Sequence, residues 1–215
     1  MFRSLAIVLV LLSGAACNVM SAGVQGSGVA ASEDRQTSVF ERVEVDGSFA
    51  VEITVGPVQS VRVEADANLL PIITTEVADA TLKVASKQNY STTSPLRVTV
   101  TAPKLTGVRL AGSGSVRVAG ISGDAFTAGL SGSGKIQLAG SAASLTADMN
   151  GSGSLAASEL TTRAVTVSMV GSGLAEVHAS DQVTAAVTGS GAVKYAGGAA
   201  AVTRNVQGSG SVAPM

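Results

Sequence analysis

The sequence predicts an all-β fold, a parallel β-helix (β-solenoid) of about 18–20 residues per repeat, preceded by further β-strands. A Gly-Ser-Gly triplet recurs at nearly constant spacing in the second half of the chain, and apolar residues occupy fixed positions around each triplet. The composition is 46% hydrophobic but only 3% aromatic, with 25 Gly and no Trp. A core of small and β-branched residues favours thin stacked layers over a helical bundle.

The first residues, 1–16, are typical of a secretory signal peptide. Arg3 supplies the positive start, and the apolar run that follows is too short to anchor the chain in a bilayer. Cys17, the only cysteine, stands at the end of "LSGAAC", which resembles the bacterial lipobox, where the cysteine becomes the acylated first residue of the mature chain. Gly14 stands where that pattern usually has Leu, so ordinary cleavage after Ala16 is the alternative.

Residues 17–37 are predicted to be the acylated Cys17 and a flexible tether, because the stretch is rich in Gly, Ser and Ala and lacks periodicity. The Gly-Ser-Gly at 26–28 belongs to this tether. Asn18, rather than Asp, follows the cysteine, so the pattern that resembles inner-membrane retention is absent. We therefore expect an exported protein, lipid-anchored in the bacterial outer membrane on its periplasmic or its surface face.

A single domain is predicted over residues 38–215, and its first part alternates apolar and polar residues as half-buried strands do. In "SFAVEITVG", Phe49, Val51, Ile53 and Val55 share one face. The segments "SVRVEA", "TLKVA" and "LRVTVTAP" repeat this alternation, and the polar stretch "SKQNYSTTSP" at 86–95 indicates a surface loop.

The triplets begin at Gly112, Gly132, Gly151, Gly171, Gly189 and Gly208, with successive spacings of 20, 19, 20, 18 and 19 residues. A flexible linker would not keep such a period, whereas a stacked array of equivalent coils requires it.

Residues at fixed offsets from the triplets form columns. We expect three apolar columns to face inward, two residues before, six residues before and four residues after each first glycine. The first of these is Leu110, Leu130, Met149, Met169, Val187 and Val206, and the second, from the later coils, is Phe126, Leu145, Val165, Val183 and Val202. A threonine column is expected to face outward, at Thr127, Thr146, Thr166, Thr184 and Thr203. Because one such unit cannot bury its apolar side alone, the units must stack in parallel and in register, about 4.8 Å apart.

Each triplet falls where one strand must turn sharply into the next, and glycine tolerates the positive φ or close backbone approach of such a corner. The predicted structural turn residues are Gly112, Gly114, Gly132, Gly134, Gly151, Gly153, Gly171, Gly173, Gly189, Gly191, Gly208 and Gly210.

The stretches "FERVEVDGSFAVEITVG", "LRVTVTAPKLTGVRLAGSGSV" and "AVKYAGGAAAVTRNVQGSGSV", with the triplets between them, resemble the head GIN domain family of autotransporter adhesin heads over residues 39–213. The resemblance implies a parallel β-helix in a secreted or envelope-attached bacterial protein. Arg204 stands where other coils have Val or Ala, which indicates that the last coil is loosened or capped.

The sequence offers little for catalysis. Lys+Arg 14 against Asp+Glu 15 gives a net charge of −1, so we expect no nucleic-acid partner. His178 is the only histidine and is expected at the surface, so no catalytic triad or metal cluster is predicted. Asp124, Asp148 and Asp181 fall at different places in the period, unlike the repeated aspartates of calcium-binding solenoids.

The functional prediction is a cell-envelope protein that is not an enzyme, needs no cofactor or metal, and presents an extended face to a glycan or protein ligand as a surface binding or adhesion module. One alternative is a periplasmic structural or envelope-maintenance protein. Another is a carbohydrate-active β-helix enzyme, which would need a carboxylate cluster supplied by the first strands. The end coils could either cap the solenoid or associate with another copy.

Overall fold

The computed structural model describes residues 23–92, 94 and 96–215. The signal peptide predicted at 1–16 and Cys17 lie outside the described residues. The described chain forms seventeen strands and one short 3-10 helix, Leu70–Ile72. The strands are β1 Val24–Gln25, β2 Ala30–Asp34, β3 Arg42–Asp46, β4 Ala50–Val55, β5 Ser60–Asp66, β6 Ile73–Ala78, β7 Thr81–Ser86, β8 Tyr90–Ser91, β9 Arg97–Ala102, β10 Gly107–Gly112, β11 Ser115–Gly132, β12 Lys135–Gly151, β13 Ser154–Gly171, β14 Leu174–Gly189, β15 Ala192–Ala196, β16 Ala201–Gly208 and β17 Ser211–Pro214.

The long strands β11 to β14 each wrap around the body and contribute to two sheets. We call sheet I the one formed by the segments that lead into the triplets, and sheet II the one formed by the segments that follow them. Neighbouring coils pair in parallel and one repeat apart, as in Ile136↔Leu155 of sheet II and Thr146↔Thr166 of sheet I. Register shifts fall at the bend opposite the triplets, for example between Gln137 and Ala139. The predicted parallel β-solenoid is confirmed.

The core lies between the two sheets and consists of the inward columns. Phe126, Leu145, Val165 and Val183 are each at most 1% exposed. The prediction that these columns face a buried core is wrong only in the last coil, where Val206 is 39% exposed. Among the described strands β16 pairs with β14 alone, so the inward face of β16 is partly open.

The first part of the chain contains a coil that the triplets do not mark. Strands β3 and β4 pair in parallel with β10 and β11, and the turn Gly47-Ser48-Phe49 occupies the place of a Gly-Ser-Gly triplet. Gly47 has φ +133, and its carbonyl accepts a hydrogen bond of 3.1 Å from the N–H of Gly114. The residues expected to precede the solenoid therefore supply one of its coils.

The N-terminal end of the solenoid is closed by antiparallel strands. Strands β7 and β9 stack in parallel on β3 and β4, and β6 and β5 then pair antiparallel to them. Between β9 and β10 the chain crosses the coil formed by β3 and β4. There the N–H of Thr106 donates to the carbonyl of Glu41 at 2.8 Å. Since antiparallel strands break the parallel register, the stack ends here.

The described part of the predicted tether is ordered against this end. Residues 30–34 are strand β2, which pairs antiparallel with β5. At the 26–28 triplet, Ser27 N–H donates to Asn68 Oδ1 at 2.9 Å, and Asn68 Nδ2 donates to the Gln25 carbonyl at 2.7 Å. The prediction that residues 26–34 are a flexible linker is therefore corrected. The free edge of β5 offers backbone hydrogen-bond partners, which the composition of the segment does not reveal. In the predicted surface loop at 86–95, β8 pairs with β1.

The C-terminal end is capped by an arginine. Arg204 is paired with the buried Ala185 of the preceding coil, so its side chain is directed to the core side. Its guanidinium donates a 2.7 Å hydrogen bond to the hydroxyl of Tyr195 and lies 5.8 Å from the centre of that ring. The departure of Arg204 from the repeat is thus a cap on the last coil.

Replacing Arg204 by alanine should lower the free energy of unfolding by about 1–2 kcal/mol, because the hydrogen bond to the Tyr195 hydroxyl, the cation–π contact and the apolar stem are all lost. Arg204→Met keeps most of the stem and should lose less. The check is the urea midpoint, with Arg163→Ala as the control because Arg163 is exposed on the opposite bend. Equal midpoints for Arg204→Ala and Arg163→Ala would contradict the capping role.

Candidate functional site

The predicted turn glycines divide into two classes. The first glycine of each triplet has a positive φ, between +113 at Gly208 and +126 at Gly171. The third glycine has no positive φ but lies against the coil before it, since a Cβ at Gly153 would come within 2.5 Å of the Gly134 carbonyl oxygen. The serine between them is exposed in every triplet. The triplets therefore form a tightly stacked edge of the solenoid with a row of serine hydroxyls outside.

The outer surface of sheet I is nearly uncharged over the coils that carry the triplets. Its outward side chains on β11 to β16 carry a single charge, Asp148, in this fully described stretch. Its polar uncharged side chains form what we name the hydroxyl–amide face, which is interrupted by Gly129, Ala186 and the exposed Val170. It consists of Thr127, Ser131, Ser144, Thr146, Asn150, Thr166, Ser168, Gln182, Thr184, Thr188, Thr203, Asn205 and Gln207.

The threonine column of this face points outward as predicted. Thr127, Thr146, Thr166 and Thr203 are exposed, and Thr184 is half-buried. Each threonine is paired with the next across the parallel ladder, so the column is a continuous β-branched ridge that also stabilises the sheet.

The opposite surface, on sheet II, differs in charge. Arg97 and Glu52 form an ion pair of 3.1 Å there, and Arg62 pairs with Asp34 at 3.2 Å. Lys194 and Glu176 lie 3.9 Å apart. Over the coils β11 to β16 the outer surface of sheet I is therefore nearly uncharged, whereas the N-terminal strands of both sheets carry paired charges, such as Lys83 with Glu44 on sheet I at 3.7 Å.

A shallow groove of about 330 Å³ opens at the edge of the hydroxyl–amide face. It crosses five strands, from Thr81 of β7 to Asp148 of β12, and Gly129 in its lining contributes no side chain. Val108 and Ala128 are among the residues of its floor, and a second hollow continues past Asp148 to Asn150. The lining brings the guanidinium groups of Arg42 and Arg109 and the carboxylates of Glu44 and Asp148 to one polar depression.

The remaining titratable groups do not assemble into a site. In the described chain no three side chains of His, Cys, Asp or Glu lie close enough together to hold a metal ion. His178, expected at the surface, is only half-exposed, and its Nδ1 is buried without a hydrogen-bond partner. Its carbonyl accepts a 2.5 Å hydrogen bond from the Thr162 hydroxyl, which ties it to the bend opposite the triplets.

Across residues 23–92 and 96–215, none of the helical structure is long and apolar enough to cross a membrane.

Solved structures share this fold. A "putative adhesin" from Bacteroides fragilis NCTC 9343 superposes with a TM-score of 0.74 at 22% identity, over 90% of this chain and 100% of that one. A "putative adhesin" from Parabacteroides merdae ATCC 43184 gives 0.57 at 20% identity, over 89% and 98%. A "Putative lipid binding protein" from Parabacteroides distasonis ATCC 8503 gives 0.59 at 18% identity, over 89% and 99%. At these identities the likeness shows the fold alone.

No curated protein matches the sequence. The family model described as "Putative auto-transporter adhesin, head GIN domain" matches residues 39–199, which confirms the resemblance drawn from the repeated turns. With that match spanning most of its length, the chain belongs to the head GIN domain family of adhesin-like proteins.

Proposed function

We propose that the protein is a non-catalytic binding module displayed at the surface of the cell envelope, where the hydroxyl–amide face engages a glycan or a protein. The observation that carries this proposal is the face itself, an exposed and nearly uncharged array held in register by the stacked coils. The adhesin-like family supports adhesion as the purpose of binding.

The proposal includes a lipid anchor at Cys17. Only residues 18–23 separate Cys17 from Val24, where β1 begins. Such a segment spans at most about 20–25 Å when fully extended. The N-terminal end of the solenoid would therefore stay close to the membrane, and the coils that carry the hydroxyl–amide face would lead away from it.

Beads coated with the purified full chain should adhere to at least one member of a panel of immobilised oligosaccharides, glycoproteins and proteins. The double variant Thr146→Lys and Thr166→Lys places two charges on the hydroxyl–amide face and should reduce bead adhesion severalfold, because each lysine must be desolvated in the complex. Ser115→Lys, an exposed position of sheet II, is the matched control.

Adhesion that survives the double lysine variant would remove the face from the binding surface. Beads that adhere to no member of the panel would contradict the binding module and favour a structural role in the envelope.

A further inference from the structure

Gly129 is a glycine that the backbone does not require. Its φ is not positive, and no backbone atom closes on the position a Cβ would take. An added Cβ would meet only the side chain of Arg109, at 3.4 Å or more, which is ordinary van der Waals contact. Glycine inside a strand weakens it, and a strand position without a side chain leaves room for a ligand to approach the backbone closely.

The glycine interrupts a column of alternating charges. Across the ladder the outward positions run Lys83, Glu44, Arg109, Gly129 and Asp148. Lys83 and Glu44 form an ion pair of 3.7 Å. Arg109 and Asp148 are two strands apart across Gly129, and neither takes part in an ion pair with another described residue. Both are exposed, and the side chain of Arg109 lies against Gly129, so their hydrogen-bonding groups are available to a molecule in the groove.

The polar side chains that line the groove suit a ligand with many hydroxyl groups. The carboxylate of Asp148 accepts hydrogen bonds and the guanidinium of Arg109 donates them, and charge-assisted bonds of this kind are the strong ones. Ser131 and Asn150 add neutral donors and acceptors in the hollow that continues the groove. Arg42 and Arg109 balance Glu44 and Asp148 in the lining, so the groove has no net charge and no preference for an anion.

A protein partner fits the groove less well. Protein interfaces have apolar cores, whereas the one large apolar side chain exposed in this lining is Val170, at the far end of the second hollow. We propose that Arg109, Gly129 and Asp148 form a binding site for a neutral saccharide, with Ser131 and Asn150 as further polar contacts. This site rests on the proposed binding function and names its ligand class.

The test measures binding of the purified full chain to an array of neutral oligosaccharides ending in glucose, galactose, mannose or N-acetylglucosamine. Sulfated and uronic-acid oligosaccharides form a parallel arm. Gly129→Thr places a β-branched side chain, which suits a strand, where Arg109 lies against Gly129. The melting temperature should hold or rise, while saccharide binding falls about tenfold or more because Arg109 is displaced. Asp148→Asn should also weaken binding, because it removes the charge from the acceptor.

Gly123→Thr is the matched control, since nothing lies within 4 Å of the position its Cβ would take and it lies outside the groove. Neutral binding that is lost in Gly129→Thr and kept in Gly123→Thr supports the site. Binding of anionic saccharides only, binding of no saccharide, or unchanged binding by Gly129→Thr overturns it. If beads adhere to proteins while the chain binds no saccharide, the binding module stands and this site fails.

Discussion

Replacing Gly132 by alanine should destabilise the protein by about 3 kcal/mol or more. The residue has φ +114, a conformation that residues with a Cβ rarely adopt, and the new Cβ would lie 2.5 Å from the carbonyl oxygen of Gly112. That oxygen cannot move aside freely, because it accepts hydrogen bonds of 3.1 Å from the N–H groups of Ser133 and Gly134. The strain would pass to both neighbouring coils, since the first glycines are stacked on one another.

Urea unfolding followed by circular dichroism measures this loss. Gly123→Ala is the control for exchanging glycine in the same coil, because Gly123 has no positive φ and open space around it. Ser133→Ala tests the middle of the same triplet, where the side chain is exposed. Both controls should stay within about 0.5 kcal/mol of the wild type. A Gly132→Ala protein as stable as Gly123→Ala would show that the triplets are not the corners that hold the coils together.

Replacing Phe126 by alanine should cost about 3–5 kcal/mol, the usual cost of removing a buried aromatic ring. Phe126 is 1% exposed and lies in the inward column where the next coil has Leu145. Phe126→Leu matches that neighbour and should cost less, about 1.5 kcal/mol or below.

The same urea titration checks this series, with Thr146→Val as the control for a change on the outward side of the sheet. That substitution keeps the β-branch and should shift stability by about 0.5 kcal/mol or less. If Phe126→Ala and Thr146→Val had equal midpoints, the inward assignment of the column would be contradicted.

Much of the fold follows from periodicity in the sequence. The spacing of the triplets predicts the parallel register, and the columns around them predict which side chains are buried from Leu110 to Val193. Equivalent positions in a stacked array share one environment, so a repeated residue type identifies that environment without any tertiary information.

The triplets do not predict the coil formed by β3 and β4, because Phe49 stands where the triplets have their third glycine. Its bulky ring lies in the core at 1% exposure, so the position that usually needs glycine is filled by a different local packing. Strand β2 is not predicted from the sequence for another reason. Its pairing with β5 is made by backbone groups, and its side chains are mostly exposed, so no apolar pattern marks it.

The groove could not be found from the columns alone. The outward position that holds Gly129, Asp148, Ser168 and Asn205 varies from coil to coil, and variation argues against a repeated site. The proposed site depends on one irregularity, the absence of a side chain at Gly129 between Arg109 and Asp148 on the ladder. Glu44 and Lys83 continue the same outward column beyond Arg109. They lie on strands without a triplet, so their place in the column cannot be predicted from the triplet spacing.

The most direct test of a surface-displayed binding module is protease treatment of intact cells that produce the native protein, with a periplasmic protein as the internal marker. We expect the solenoid to be degraded while the marker survives, and both to be degraded once the outer membrane is broken. Survival of the solenoid in intact cells, with loss only after the membrane is opened, would place it in the periplasm and contradict its role as a surface adhesion module.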